Sequence, residues 1–252
     1  MCHQELTAPV TGGAGIVEAA VETPGADRAI PGFFARPESG TGGCVLLIHD
    51  VWGFNEFYHD LARRLAGEGY PTLLPDLFCR QDPLPEETRE AVQARRAKWD
   101  QQLAVRDIAG ALQWLKDQPA GNGRLATIGF CMGGTLVLLQ AAREPAPDAS
   151  IAYYGFPNPT PTALAPLVPL READKVKSPL LAMWGDQDAG VGMDNVEHYR
   201  AALDVAGVDY EAAIYPGVGH GFLTFDPTSP NYEAAQASWE RTLRFLRAHL
   251  AA

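Results

Sequence analysis

Leu125-Ala126-Thr127-Ile128-Gly129-Phe130-Cys131-Met132-Gly133-Gly134 (residues 125–134) runs from an apolar segment, through a cysteine set between glycines, into the stretch TLVLLQAA. Residues 125–130 have the length and character of a buried strand, and the apolar run after the turn reads as a helix. The centre, Gly129-Phe130-Cys131-Met132-Gly133, has the form G-x-nucleophile-x-G, with Cys where Ser is usual. In so tight a strand-to-helix turn, a side chain at either glycine would collide with the neighbouring strand or helix. The turn lifts Sγ above the sheet edge. The helix behind it directs N–H groups and a partial positive charge at the sulfur, which favours a thiolate. A glycine-flanked cysteine also serves as a small buried hydrophobe, so the motif alone leaves both roles open.

The sequence on either side repeats the strand-then-helix pattern. CVLLIH (44–49) is a continuous apolar run, as expected of a parallel strand buried on both faces. PTLLPDLF (71–78), IAYYG (151–155), PLLAMWG (179–185) and EAAIYPG (211–217) read as further strands. Between them, Phe57, Leu61 and Leu65 recur at helical spacing and are closed by Gly67 and Gly69. Val105, Ile108, Leu112 and Leu115 mark another helix, and helices fit 193–206 and 232–250. Residues 84–100, charged and alanine-rich, predict a solvated helix or helical cap. Residues 14–36 predict a hairpin ahead of the glycine-rich loop 39–43. The proline-rich segment 156–178 reads as a long loop, of the kind that often carries function. The whole predicts one α/β domain over 1–252, a mostly parallel central sheet flanked by helices, with an N-terminal β-hairpin.

The bulk properties narrow the partners. The chain has 252 residues, 46% of them hydrophobic and 20% charged, which is the composition of a soluble globular protein. A net charge of −11 argues against nucleic acid and anionic membranes as partners. It leaves a small anionic substrate open, because local arginines can outvote a global charge. No stretch is long and apolar enough to span a bilayer, and MCHQELTAPVTGG lacks the basic and apolar regions of a secretory signal. Cys2, Cys44, Cys79 and Cys131 lie far apart with no CxxC spacing, so neither a metal site nor a disulfide framework is expected. These features predict a cytoplasmic protein without cofactor, a monomer or weak homodimer.

Activating a cysteine requires a base, since a free thiol is only a few per cent ionised at neutral pH. In this topology the acid and the histidine follow the nucleophile, each after a later strand. MWGDQD places Asp186 and Asp188 just past a strand, and YPGVGHGF places His220 in a glycine-bracketed loop past the next. Asp188 lies further into its loop and is preferred as orienter of His220, leaving Asp186 to shape the turn. A lone Asp after a strand is more often a turn former, and a lone loop His is more often inert. Their joint order with Cys131 is what favours a triad. His3, His59, His198 and His249 lie at the terminus or on helical faces, whereas His49 ends a strand beside the presumed site.

These segments resemble the dienelactone hydrolase family (carboxymethylenebutenolidases). The matching pieces are HDVWGFN (49–55), GYPTLLPDLFCRQ (69–81), GFCMGG (129–134), YYG (153–155), GDQD (185–188) and GHGF (219–222), in the expected order, with a similar terminal helix. The resemblance implies an α/β-hydrolase fold and cleavage of an enol lactone or activated ester, as in aromatic catabolism. It implies Cys131 as nucleophile, His220 as base and Asp188 as its orienter. The backbone N–H groups of Met132 and Val51 form the implied oxyanion hole. Arg80 is the implied ligand of a substrate carboxylate, a task that suits its planar fork. Trp52, Tyr154 and Phe222 are the implied substrate-binding aromatics. Asp50 stands where the family has a glutamate that meets the resting thiol, one methylene longer. Thr224 stands where well-known members carry a second carboxylate-binding arginine. Three rival functions remain: a general carboxylesterase or thioesterase on the same residues, a non-catalytic small-acid binder on this fold, and, more weakly, a redox-sensing cysteine.

Overall fold

A computed structural model describes residues 15–39 and 42–251. The expectations for the N-terminal segment with Cys2 and His3, and for part of the 39–43 loop, lie outside these residues. The framework is an eight-stranded sheet. β1 (Ile16–Pro24) and β2 (Ala29–Pro37) form the expected antiparallel hairpin. β3 (Gly42–Ile48), β4 (Thr72–Pro75), β5 (Gly121–Phe130), β6 (Ala149–Tyr153), β7 (Leu180–Gly185) and β8 (Tyr210–Tyr215) follow. The spatial order is β1-β2-β4-β3-β5-β6-β7-β8, with β4 to β8 mutually parallel and β2 antiparallel to β4. Every residue of β4, β6 and β7 is buried, which is why these strands read as unbroken apolar runs.

The helices are α1 (Glu56–Gly67), α2 (Arg89–Arg96), α3 (Gln101–Lys116), α4 (Met132–Gln140), α5 (Met193–Ala206) and α6 (Tyr232–Leu250). Their starts follow local chemistry. Asn55, Thr88 and Asp100 cap α1, α2 and α3 by accepting N–H groups of the first turn. The ring of Tyr58 on α1 meets Phe130 on β5, Phe130 stacks on Tyr153 of β6, and the Tyr153 hydroxyl bonds Thr242 of α6. Those contacts put α1 and α6 on one face of the sheet. A Cβ on Gly129, which points the other way from Phe130, would meet Val137 of α4 at 2.9 Å, so α4 lies on the opposite face.

Two segments differ from expectation. The apolar run 71–78 pairs as a strand only over Thr72–Pro75, because the chain turns at Asp76, whose carboxylate accepts the Phe78 N–H at 2.9 Å. The 156–178 segment is not all loop: Pro169–Lys175 forms a 3₁₀ turn, started by a proline at its first position.

The connections leave the sheet in opposite directions at β3 and β5: β3 leads outward to β4, and β5 leads the other way to β6. Beyond the carboxyl ends of strands at such a divergence a crevice opens, where α/β sheets place ligands. Cys131 sits at that point.

Candidate active site

Cys131 is the residue between β5 and α4, with φ 54° and ψ −113°. A side chain in that region costs about 1–3 kcal/mol and persists only where its surroundings enforce it. Here they do. The Cys131 N–H donates to Tyr153 O at 3.0 Å, and its carbonyl accepts the Thr135 N–H at 3.0 Å. A Cβ on Gly129 would lie 2.3 Å from Gly133 O, and one on Gly133 would lie 2.3 Å from Ile48 O and 2.5 Å from His49 O. Both obstacles are backbone, so the two glycines are what lets strand, turn and helix close on one another. α4 begins at Met132, whose N–H belongs to the first turn and has no carbonyl of its own helix to meet.

The loops after β7 and β8 are stitched together before they reach Cys131. Asp186 N–H donates to Tyr215 O at 3.0 Å, Gln187 N–H donates to Val218 O at 3.0 Å, and Gly217 N–H donates to the Asp186 carboxylate at 2.7 Å. Asp188 stands beyond this stitching, 2% exposed. Its Oδ1 accepts the N–H groups of Gly190 and Val191, each at 3.1 Å, and its Oδ2 faces His220 Nδ1 at 2.6 Å. The imidazole is held by rings as well: Tyr154 meets it edge-on at 5.0 Å between centroids, and Phe156 lies at 5.3 Å. His220 and Cys131 then line the same cavity, of about 1080 Å³.

The loop after β3 forms the facing wall. Asp50 is fully buried, and its Oδ1 accepts the Trp52 N–H at 2.8 Å, an Asx turn within the loop. Arg95 of α2 donates to Val51 O at 2.8 Å while its guanidinium lies over the Phe78 ring at 4.0 Å. The peptide between Val51 and Trp52 is therefore held at both ends. His49 lies beneath, with Nδ1 2.8 Å from Asp50 O and Nε2 accepting the Leu77 N–H at 3.1 Å. Acceptance at Nε2 places the proton on Nδ1, and burial lowers its pKa. His49 thus stays neutral and braces the loop from below the cavity.

The cavity brings together Cys131, Met132, Val51, Trp52 and His220. It does not include Arg80, Tyr154, Phe222 or Thr224. Arg80 donates to the Asp107 carboxylate at 2.6 and 2.9 Å and to Asp27 at 2.6 and 2.9 Å. Asp107 also accepts the Ala26 N–H at 2.8 Å. This arginine clamps the β1–β2 turn to α3, and its pKa is raised by the hydrogen bond to Asp107. Tyr154 and Phe222 are fully buried, with rings 5.5 Å apart, and support His220 from behind. Thr224 Oγ1 accepts the Asp226 N–H at 3.1 Å in a local turn. The far side of the cavity is formed by Arg89, Gln93 and Arg96 of α2, Trp99, and loop residues 158–160 and 162–165; sequence reasoning marked the loop as a functional candidate but named none of these side chains. The spacing of 89, 92, 93 and 96 along one helical face was the available signal. Among the described residues no group of His, Cys, Asp and Glu is arranged to hold a metal ion, and no helix is long and apolar enough to cross a membrane.

The dienelactone hydrolase family model matches residues 30–250. The chain belongs to the dienelactone hydrolase family. It is accordingly a hydrolase acting on ester or lactone bonds. A carboxymethylenebutenolidase of Rhodococcus opacus is 34% identical over 99% of this chain and 98% of its own. A crystal structure of an assigned dienelactone hydrolase from Klebsiella pneumoniae superposes with a TM-score of 0.85 at 28% identity, covering 92% of this chain and 98% of that one. An acylaminoacyl peptidase of Pyrococcus horikoshii, at 16% identity and a TM-score of 0.72 over 94% of this chain and 42% of its own, shares the α/β-hydrolase fold alone.

Proposed function

We propose that this family member opens enol lactones or activated esters through a cysteine thioester, with Cys131 as nucleophile, His220 as base and Asp188 as its orienter. The observation that carries the proposal is the 2.6 Å contact of His220 Nδ1 with a buried carboxylate, on an imidazole that shares one cavity with the strained Cys131. A carboxylate on Nδ1 holds the proton there and turns Nε2 toward the substrate side as acceptor.

In the first step the thiol proton passes to His220 Nε2 and Sγ bonds to the scissile carbonyl carbon. The oxyanion is met by the N–H groups of Met132 and Val51. The acyl–oxygen bond then breaks, the leaving oxygen takes the proton from His220, and the acyl group remains as a thioester. His220 next draws a proton from water, hydroxide adds to the thioester, and the thiol and a free carboxylic acid are released. A thiolate leaves more readily than most alkoxides, so a plain alkyl ester adduct collapses backwards. An enol or aryl ester leaves as a stabilised anion and goes forward.

The Asx turn at Asp50 gives its carboxylate a role in shaping the Val51–Trp52 turn, alongside any role in taking the thiol proton. The cavity is larger than a compact lactone requires, which favours a broader esterase reading on the same residues. The acidic balance supports action without nucleic acid or an anionic membrane, and a cytoplasmic monomer or weak homodimer completes the proposal. Intact-mass trapping with a panel of enol lactones and aryl esters tests it. The expected result is an acyl adduct on Cys131 whose decay matches turnover. A Cys131→Ala variant that hydrolysed the panel at the wild-type rate would sink the proposal.

A further inference from the structure

The charge lining the cavity opposes the charge of the molecule. The chain carries 31 acidic and 20 basic side chains. An even share of these among the 25 residues lining the cavity would include three acids, yet among the described residues no Asp or Glu lines it, while Arg89 and Arg96 do.

Both arginines stand on α2. That helix is seated by Val92, which is buried, and by Arg95, turned beneath it to Val51 O. Arg89, Gln93 and Arg96 occupy the cavity side at helical spacing, exposed. Seven other arginines, from Arg63 to Arg241, have carboxylate partners in the fold. Among the described residues neither Arg89 nor Arg96 pairs with a carboxylate. The amides nearby are committed elsewhere: Gln101 is bonded at both ends to the Leu167 backbone, and Asn158 is bonded to Asn195, which donates to Val191 O. The arginines are thus the uncommitted charged donors on the wall facing Cys131.

We infer that Arg89 and Arg96 form an anion subsite that selects esters or lactones bearing a carboxylate several bonds from the scissile carbonyl. The inference rests on the Cys131 reading for its chemistry, and it moves substrate-charge recognition from Arg80 to α2. Seven helical residues separate the two arginines by about 10 Å along the axis, so a single carboxylate pairs with one at a time and both contribute to the field. An anion there reaches Cys131 only through a chain of several atoms.

The test compares p-nitrophenyl hemiesters of adipate and suberate with the neutral hexanoate and octanoate esters, in the wild type, R89Q, R96Q, the double variant and R80Q. The readout is the ratio of kcat/KM, anionic over neutral, within each protein, so losses common to both substrates cancel. Calorimetric binding of adipate to the wild type and the double variant runs alongside and needs no turnover. Wild type is expected to prefer the hemiesters, and the double variant to lose roughly tenfold in the ratio, with each single variant in between. Adipate binding should weaken in parallel. A ratio unchanged in the double variant, or one lost in R80Q instead, overturns the inference. If the wild type cleaves neither class, the Cys131 reading has failed, and the anion subsite then stands or falls on whether adipate binding is lost in the double variant.

Discussion

Replacing Asp188 by Asn probes the proposed triad because the two oxygens of Asp188 have different partners. Oδ1 accepts two backbone N–H groups, from Gly190 and Val191, and Oδ2 faces His220 Nδ1. An amide has one acceptor and one donor end, so it cannot serve both. If its oxygen keeps the two backbone donors, its NH₂ faces Nδ1, and the imidazole must carry its proton on Nε2, where the thiol proton has to go. If the amide flips, both N–H groups face its NH₂, and the buried Val191 N–H loses its acceptor, at about 1–3 kcal/mol. The first arrangement is the cheaper one. The expected result for Asp188→Asn is therefore a folded protein whose kcat for an activated ester falls about 10³–10⁴-fold, the size of the effect when a serine protease triad is given the wrong tautomer. This corresponds to about 4–5.5 kcal/mol of barrier. Single-turnover release of p-nitrophenol measures acylation directly, and circular dichroism checks the fold. A folded variant that acylates within tenfold of wild type would refute the argument, because the carboxylate would then not be setting the tautomer.

Other outcomes follow from the same geometry. If the carboxylate of Asp50 works chiefly as the Asx acceptor for Trp52 N–H, Asp50→Asn should keep most of the acylation rate and Asp50→Ala should lose much more of it; equal losses would point to its charge instead. Arg80→Met should lower stability by about 3 kcal/mol in urea unfolding, because Asp107 is left buried without its partner, while kcat/KM for neutral esters falls no further than unfolding accounts for. Burial raises the Cys44 thiol from 9.0 to about 11. The unfolded chain therefore ionises first, and the stability Cys44 contributes, complete below pH 9, is lost as pH rises toward 11. Thermal melts of Cys44→Ala should fall less steeply over that range than those of wild type.

Much of this was legible in the sequence for a plain reason. The parallel strands are buried on both faces, so β6 and β7 could be found as apolar runs, and the order Cys131, Asp188, His220 is fixed by strand order. The geometry that brings Asp188 and His220 together needed only loops of the right length after β7 and β8. Arg80 lies outside the cavity lining; a motif fixes a position along the chain and not the direction of a long side chain. Here Asp27 and Asp107, distant in sequence, offered it a better partner than the cavity. Tyr154 and Phe222 read as substrate contacts for a similar reason: nearness in sequence to the triad does not separate lining it from supporting it. Residues 84–100 were read as a solvated helix or helical cap, and Arg89, Gln93 and Arg96 of α2 are indeed exposed. The spacing of 89, 92, 93 and 96 marks one helical face, but not that this face looks onto Cys131.

The close approach of Gly129 and Gly133 to backbone atoms has a consequence for how the protein can change. The turn that carries Cys131 is packed main chain against main chain, so a substitution at either glycine cannot shift the proposed nucleophile by a small step. Variation that survives must fall on the rim: Trp52, the α2 arginines and loop 158–165. On the proposed chemistry, descendants of this sequence are thus free to exchange one ester for another while the sulfur of Cys131 stays where it is, which makes substrate range the cheap trait to evolve and reaction type the expensive one.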